Sequence, residues 1–192
     1  MRGLHFKFGT MNSSKTANLL MLAHSYKNQN KKILLVKPSI DTRYNKDIIF
    51  SRAFKEGIKA DLIINEEDSK LSIDYSSLST LSCILIDEAQ FLSRNIILDL
   101  KNISTFVPVI CYGLRTDYKG HLFEGSKALF ELADDIEQIK SICSFCDNIA
   151  IINSKFYISK EGKKVFIYEG SDNVDLGNED KYQAVCWSCW RK

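Results

Sequence analysis

Proline and glycine are scarce in this chain, two and nine of 192 residues. Such sparse use excludes collagen-like repeats and Pro/Gly-rich disorder. Neither charge sign dominates: 26 Lys and Arg against 24 Asp and Glu leave a formal net charge of +2. That balance argues against a dedicated nucleic-acid binder, which usually carries a strong basic excess or stripe. Apolar runs are short, Leu19 to Ala23 and Ile33 to Val36 among the longest, where a membrane span needs about 18–20 residues. The opening Met1-Arg2-Gly3-Leu4-His5 lacks the apolar core of a secretory signal. Three histidines, His5, His24 and His121, show no ligand or triad spacing. With 45% hydrophobic and 26% charged residues, the expectation is an ordinary globular domain with a small appendage, located in the cytoplasm and not on a membrane.

Six cysteines are present and unevenly placed. Cys83 and Cys111 sit inside apolar runs and read as buried core thiols. The other four form two C-x-x-C pairs, Cys143/Cys146 and Cys186/Cys189, with 39 residues between the pairs. Two residues between ligands let a tight turn aim both sulfurs at one ion, and two such turns complete a closed, non-catalytic tetrathiolate zinc site. Disulfides are the alternative, disfavoured in a reducing cytosol. A redox pair would account for one C-x-x-C but not for two.

Short apolar strands alternate with helix-like stretches over residues 1–141, the pattern of an α/β fold with a mostly parallel sheet. The expected strands are Leu4 to Phe8, Lys32 to Lys37, Asp61 to Asn65, Cys83 to Asp87, Val107 to Gly113 and Ile136 to Ile142. Helices are expected over Lys15 to Tyr26, Phe91 to Ile103 and Gly125 to Leu132, and a weakly marked one within Glu66 to Leu81. From Ile142 the texture changes. Two strands, Ile151 to Ser159 and Lys164 to Tyr168, and the polar stretch Glu169 to Lys181 lie between the cysteine pairs. Residues 142–192 are therefore expected to form a small β subdomain, too short to bury a core without a metal.

Gly9-Thr10-Met11-Asn12-Ser13-Ser14-Lys15-Thr16 follows the first strand and opens the first helix. It has the spacing of the phosphate-binding P-loop G-x-x-x-x-G-K-[ST], with Ser14 in place of the second glycine. Backbone amides at a helix start cradle phosphates, the lysine reaches their outer oxygens, and the hydroxyl of Thr16 suits Mg2+. A left-handed backbone at Ser14 would cost a non-glycine residue about 1–2 kcal/mol. Cys83-Ile84-Leu85-Ile86-Asp87-Glu88 is an apolar strand ending in two carboxylates. The first can hold a metal and the second can act as a base.

With these pieces in order the chain resembles the type II thymidine kinases, a P-loop family whose zinc-binding C-terminal region carries a lasso loop. The likeness spans nearly the whole chain. It runs from the P-loop segment through Lys37-Pro38-Ser39-Ile40-Asp41-Thr42-Arg43-Tyr44 and Ile86-Asp87-Glu88-Ala89-Gln90-Phe91. It continues in Tyr112-Gly113-Leu114-Arg115-Thr116-Asp117-Tyr118-Lys119-Gly120, both cysteine pairs, and Asp175-Leu176-Gly177-Asn178-Glu179-Asp180-Lys181-Tyr182. The resemblance implies a RecA-like, mostly parallel sheet flanked by helices plus a zinc-ribbon β subdomain bearing the lasso. It implies transfer of the ATP γ-phosphate to the 5′-hydroxyl of thymidine, with Glu88 as general base. ATP would meet Gly9, Thr10, Met11, Asn12, Ser13, Ser14, Lys15, Thr16, Asp41, Thr42, Arg43, Asp87 and Gln90, and Thr16 and Asp87 would hold Mg2+. Thymidine would meet Met11, Phe91, Leu114, Tyr118, Tyr182 and the lasso residues Asn173, Val174, Asp175, Leu176 and Gly177. Cys143, Cys146, Cys186 and Cys189 would hold structural zinc, and the protein would be a homotetramer with no nucleic-acid partner.

Blander readings accompany these. Met11 could be plain packing, Tyr118 a turn aromatic, Tyr182 a core residue of the ribbon. Rival functions are another P-loop phosphotransferase, a zinc-ribbon nucleic-acid protein with an ATPase core, and a kinase fold kept as a binding module. Arginines are too sparse for the lid of a monophosphate kinase. Neutral charge weakens the second rival, and Lys15, Asp87 and Glu88 together weaken the third.

Overall fold

The computed structural model describes residues 2–42, 45–54, 57–170 and 181–191. Six strands form one sheet: β1 (Leu4–Phe8), β2 (Ile33–Pro38), β5 (Leu62–Ile64), β6 (Cys83–Ile86), β7 (Val109–Gly113) and β8 (Asp135–Gln138). Their order across the sheet is β5-β2-β6-β7-β1-β8. Every pairing between neighbours is parallel. β6, Cys83-Ile84-Leu85-Ile86, is wholly buried, as a central parallel strand covered on both faces must be.

Alternation along β6 sorts the two layers. Cys83 and Leu85 pack with Leu19, Leu20 and Ala23 of α1 (Lys15–Asn28). Ile84 and Ile86 pack with Ile96, Ile97, Leu100 and Ile103 of α2 (Arg94–Ile103) and with Leu129 of α3 (Glu124–Leu132). Cys83 and Cys111 are both fully buried in these layers. Burial pushes the Cys83 thiol up to about 11 and raises that of Cys111 as well, so both are inert hydrophobes. Among the described residues no helix is long and apolar enough to cross a membrane.

Several boundaries shift from the sequence reading, and three of the shifts have a clear local reason. α2 begins at Arg94, not Phe91, because Ala89–Phe91 forms a separate 3-10 turn. The helix proper starts where the Ser93 hydroxyl accepts the Ile96 N–H. β8 ends at Gln138, short of Ile142. Past Ile139, whose N–H donates to the Phe8 carbonyl, the chain leaves the sheet, and Ile142 bridges Ile149 instead. The Glu66–Leu81 segment holds a 3-10 helix at Tyr75–Thr80, capped by Asp74.

A three-stranded antiparallel sheet, in the order β10-β9-β11, follows: β9 (Ile152–Ile158), β10 (Lys164–Ile167) and β11 (Tyr182–Val185). A short α4 (Trp187–Trp190) follows β11. Ile152, Val185 and Trp190 form a small core with Cys143 and Cys186. One further ribbon, β3 (Ile48–Ile49) with β4 (Ile58–Lys59), lies in the connection from β2 to β5.

Candidate active site

Parallel strands bring their carboxyl ends to one edge, where ligands of open α/β sheets bind. Of the segments that leave that edge, four carry motifs: Gly9–Ser14 after β1, Ser39–Thr42 after β2, Asp87–Ser93 after β6, and Leu114–His121 after β7. These hold the motifs singled out above.

The first turns tightly enough to exclude a side chain at Gly9. A Cβ there would lie 2.3 Å from Ser13 Oγ and 2.6 Å from the Ile139 carbonyl oxygen. Asn12 (φ 61°) and Ser14 (φ 66°) are left-handed, so Ser14 occupies the conformation that glycine would adopt most easily. Two donors on Asn18, its backbone N–H and its Nδ2, hold the Ser14 carbonyl at 2.9 Å each. Lys15 is buried, and its ammonium donates to the Thr10 carbonyl at 2.7 Å.

Thr16, in the first turn of α1, donates its hydroxyl to both carboxylate oxygens of Asp87, at 3.1 and 3.2 Å. Glu88 is the third non-glycine residue of this edge with a left-handed backbone, at φ 50°. Its carboxylate accepts from Gln90 Nε2 at 2.5 Å, and Gln90 Oε1 accepts the Leu114 N–H at 2.9 Å. Gln90 is 1% exposed, so one amide ties the end of β6 to the end of β7 and fixes the Glu88 side chain.

Asp41 is buried and pairs with Lys37 at 3.0 Å. Lys37 also donates to the Asn45 and Ile48 carbonyls, so a single buried ammonium organises the connection that follows β2. Thr42 is exposed at its rim. Phe91 meets Phe123 edge-on, with centroids 5.7 Å apart. Tyr118 is buried, with the Lys155 ammonium 5.3 Å from its ring centre. Tyr182 is half-buried on β11 and opposite Lys155 in register. Arg43, Asn173, Val174, Asp175, Leu176 and Gly177 lie outside the described residues.

Two residues that no motif flagged reach the loop after β1. Ser141 Oγ lies 2.5 Å from Thr10 Oγ1, and Asn153 Oδ1 accepts the Met11 N–H at 2.7 Å. A lone Ser and a lone Asn have no spacing signature, so only the fold could bring them forward.

The four cysteines converge, with all Sγ atoms within 4.8 Å of one another. Cys146 Sγ is 3.6 Å from both Cys186 and Cys189. Tetrahedral zinc with bonds of about 2.3 Å sets sulfurs about 3.8 Å apart, so the cluster could hold such an ion. At Cys143 burial opposes the thiolate, but backbone hydrogen bonds from Cys186, Phe145 and Cys146 outweigh it and bring the pKa to about 6. Hydrogen bonding to Cys146 first, then burial, pushes Cys189 up to about 12. Thiols crowded this closely titrate as one coupled set.

A family model described as thymidine kinase matches residues 2–190. The chain belongs to the thymidine kinase family. It is 40% identical to the thymidine kinase of Lactococcus lactis subsp. lactis over 189 residues, 97% of this chain and 95% of that one. Against the thymidine kinase of Streptococcus pyogenes serotype M28 the identity is 38%, covering 97% and 95%. The thymidine kinase of Streptococcus gordonii matches at 38%, covering 97% and 94%. Among solved structures, one of Pif1 helicases at forked DNA covers 72% of this chain and 39% of that one, with TM-score 0.39 and 13% identity. That likeness is too slight to carry an argument.

For a member of this family the left-handed Ser14 makes a direct prediction. Ser14→Gly removes about 1–2 kcal/mol of strain, partly offset by added chain entropy. Thermal unfolding should therefore show a Tm raised by up to about 4 °C. Ser14→Val, β-branched at the same φ, should unfold at a lower temperature than the natural protein.

Proposed function

We propose that the protein is a thymidine kinase, transferring the γ-phosphate of ATP to the 5′-hydroxyl of thymidine, a salvage reaction. The observation that carries this reading is the meeting of Lys15, Thr16, Asp87 and Glu88 at one edge of the sheet in a chain of this family.

Phosphoryl transfer leaves a protein little covalent work, so its residues position groups and neutralise charge. The amides of residues 12–16 receive the phosphates at the start of α1. Lys15 exchanges the Thr10 carbonyl for phosphate oxygens, and Arg43 forks two of them. Thr16 and Asp87 offer the hard oxygen donors that suit Mg2+, and Asp41, held by Lys37 in the connection after β2, which neighbours β6, would sit in the ion's water shell. Bound with ATP, Mg2+ offsets the charge on the phosphate oxygens. Glu88 takes the proton from the 5′-hydroxyl, a step worth about 10²–10⁴-fold. Gln90 holds that carboxylate in place. In this reading Met11, Phe91, Leu114, Tyr118, Tyr182 and the lasso residues Asn173, Val174, Asp175, Leu176 and Gly177 contact the base.

Residues 142–192 form the substrate lid in this reading, stapled by structural Zn2+ on Cys143, Cys146, Cys186 and Cys189. Zinc supplies no chemistry at the reacting phosphate; its tetrathiolate coordination replaces the core that the lid is too small to build. The resemblance adds a homotetramer in the cytoplasm, with no nucleic-acid partner.

Release of ADP from ATP should depend on thymidine and ignore added DNA. ADP release that is independent of thymidine, or is stimulated by DNA, overturns the assignment. Glu88→Gln should keep ATP binding while kcat drops at least about 100-fold; undiminished turnover removes Glu88 as the base. Metal analysis should find about one zinc per chain, with chelation lowering the Tm. A fully folded, metal-free active protein contradicts the staple.

A further inference from the structure

The peptide unit between Thr10 and Met11 is bonded at both ends. Its carbonyl accepts the Lys15 ammonium at 2.7 Å, and its N–H donates to Asn153 Oδ1 at 2.7 Å. A trans peptide points its C=O and N–H in opposite directions within one plane. Asn153 and Lys15 therefore hold the two ends of a single rigid lever. Asn153 is 5% exposed and Lys15 is 7% exposed, so the Lys15 bond is buried and the Asn153 bond partly so, where linked hydrogen bonds reinforce each other.

The support for Asn153 comes from the cysteine loop. Ala150 N–H donates to the Ser141 carbonyl, and Cys143 N–H donates to the Asn148 carbonyl, both at 2.8 Å. These bonds close residues 141–150 into a loop that presents Cys143 and Cys146. One leg of that loop ends on Thr10 through Ser141, at 2.5 Å. The other leg runs into β9 and ends on Met11 through Asn153. The outer rim of the phosphate-binding loop thus rests on both legs.

We infer that Asn153 is a positioning residue for ATP: it sets the Thr10–Met11 peptide and, through it, the resting place of the Lys15 ammonium. The inference rests on the phosphate-binding role given to Lys15 above. Asn153 does not touch ATP itself. Without it the Met11 N–H loses its partner in a part-buried site, the peptide can turn, and Lys15 loses its fixed post.

Calorimetric titration of Mg-ATP into the full chain without thymidine tests this. Asn153→Ala should weaken ATP binding about tenfold, the scale set by an unpaired buried donor. Asn153→Gln keeps a neutral amide oxygen that can reach the Met11 N–H without adding charge, and should bind Mg-ATP more tightly than Asn153→Ala. Ser154→Ala, on the opposite face of β9 with its hydroxyl unpartnered among the described residues, should change nothing. Should Asn153→Ala not fold, Asn153→Leu keeps the volume and gives the same comparison. Natural affinity in the Ala or Leu variant overturns the inference. So does a Gln variant as weak as Ala, or a Ser154→Ala variant as weak as Asn153→Ala. An Asn153→Ala defect in ATP binding, found in a protein that leaves thymidine unphosphorylated, would sink the thymidine kinase reading and leave this inference standing.

Discussion

The hydrogen bond from Thr16 to Asp87 is the contact on which the site depends. Thr16 follows β1 and Asp87 follows β6, yet those strands are not neighbours, because β7 runs between them. The two residues meet only because Phe6, Cys111 and Ile86 share one level across three parallel strands. A slip of one residue would turn each strand's side chains to the other face. It would bury Asp87 against a helix. The apolar alternation that packs Ile84 and Ile86 toward α2 and Cys83 and Leu85 toward α1 is therefore also what aims the carboxylates.

Strain gathers at the same edge. Ser14 and Glu88 both hold left-handed backbones without being glycine, at about 1–2 kcal/mol each. Such conformations persist where their surroundings over-determine them. Asn18 clamps the Ser14 carbonyl, and Gln90 clamps the Glu88 side chain. At Ser14 the left-handed turn leads directly into Lys15 and α1. At Glu88 it lifts the carboxylate out of the strand line that Ile86 and Asp87 continue.

Much of this was legible in the sequence because it rests on local signals. The β1 boundaries follow from Leu4 to Phe8 alone, and the P-loop spacing marks the start of α1. The two C-x-x-C pairs gave the metal-ready cluster without any view of the fold between them. What escaped depends on pairs far apart in the chain. β3 and β4, of two residues each, are too short for periodicity. Gln90 carries no sign that its amide would bridge Glu88 and Leu114, and Lys37 reads as a strand-end lysine until its burial against Asp41 is visible. Ser141 and Asn153 sit 131 and 142 residues from their partners. Arg43 and the Asn173–Gly177 stretch, readable as motif, lie outside the described residues.

The two sheets meet at the phosphate-binding loop, where Ser141 and Asn153 reach Thr10 and Met11. The most direct measurement is a crystal structure of the protein with thymidine, Mg2+ and a non-hydrolysable ATP analogue. The account predicts Lys15 moved from the Thr10 carbonyl to phosphate oxygens, and the 5′-hydroxyl within about 3.2 Å of the Glu88 carboxylate. A bound thymidine whose 5′-hydroxyl faces away from Glu88, with Lys15 still on Thr10, would contradict it.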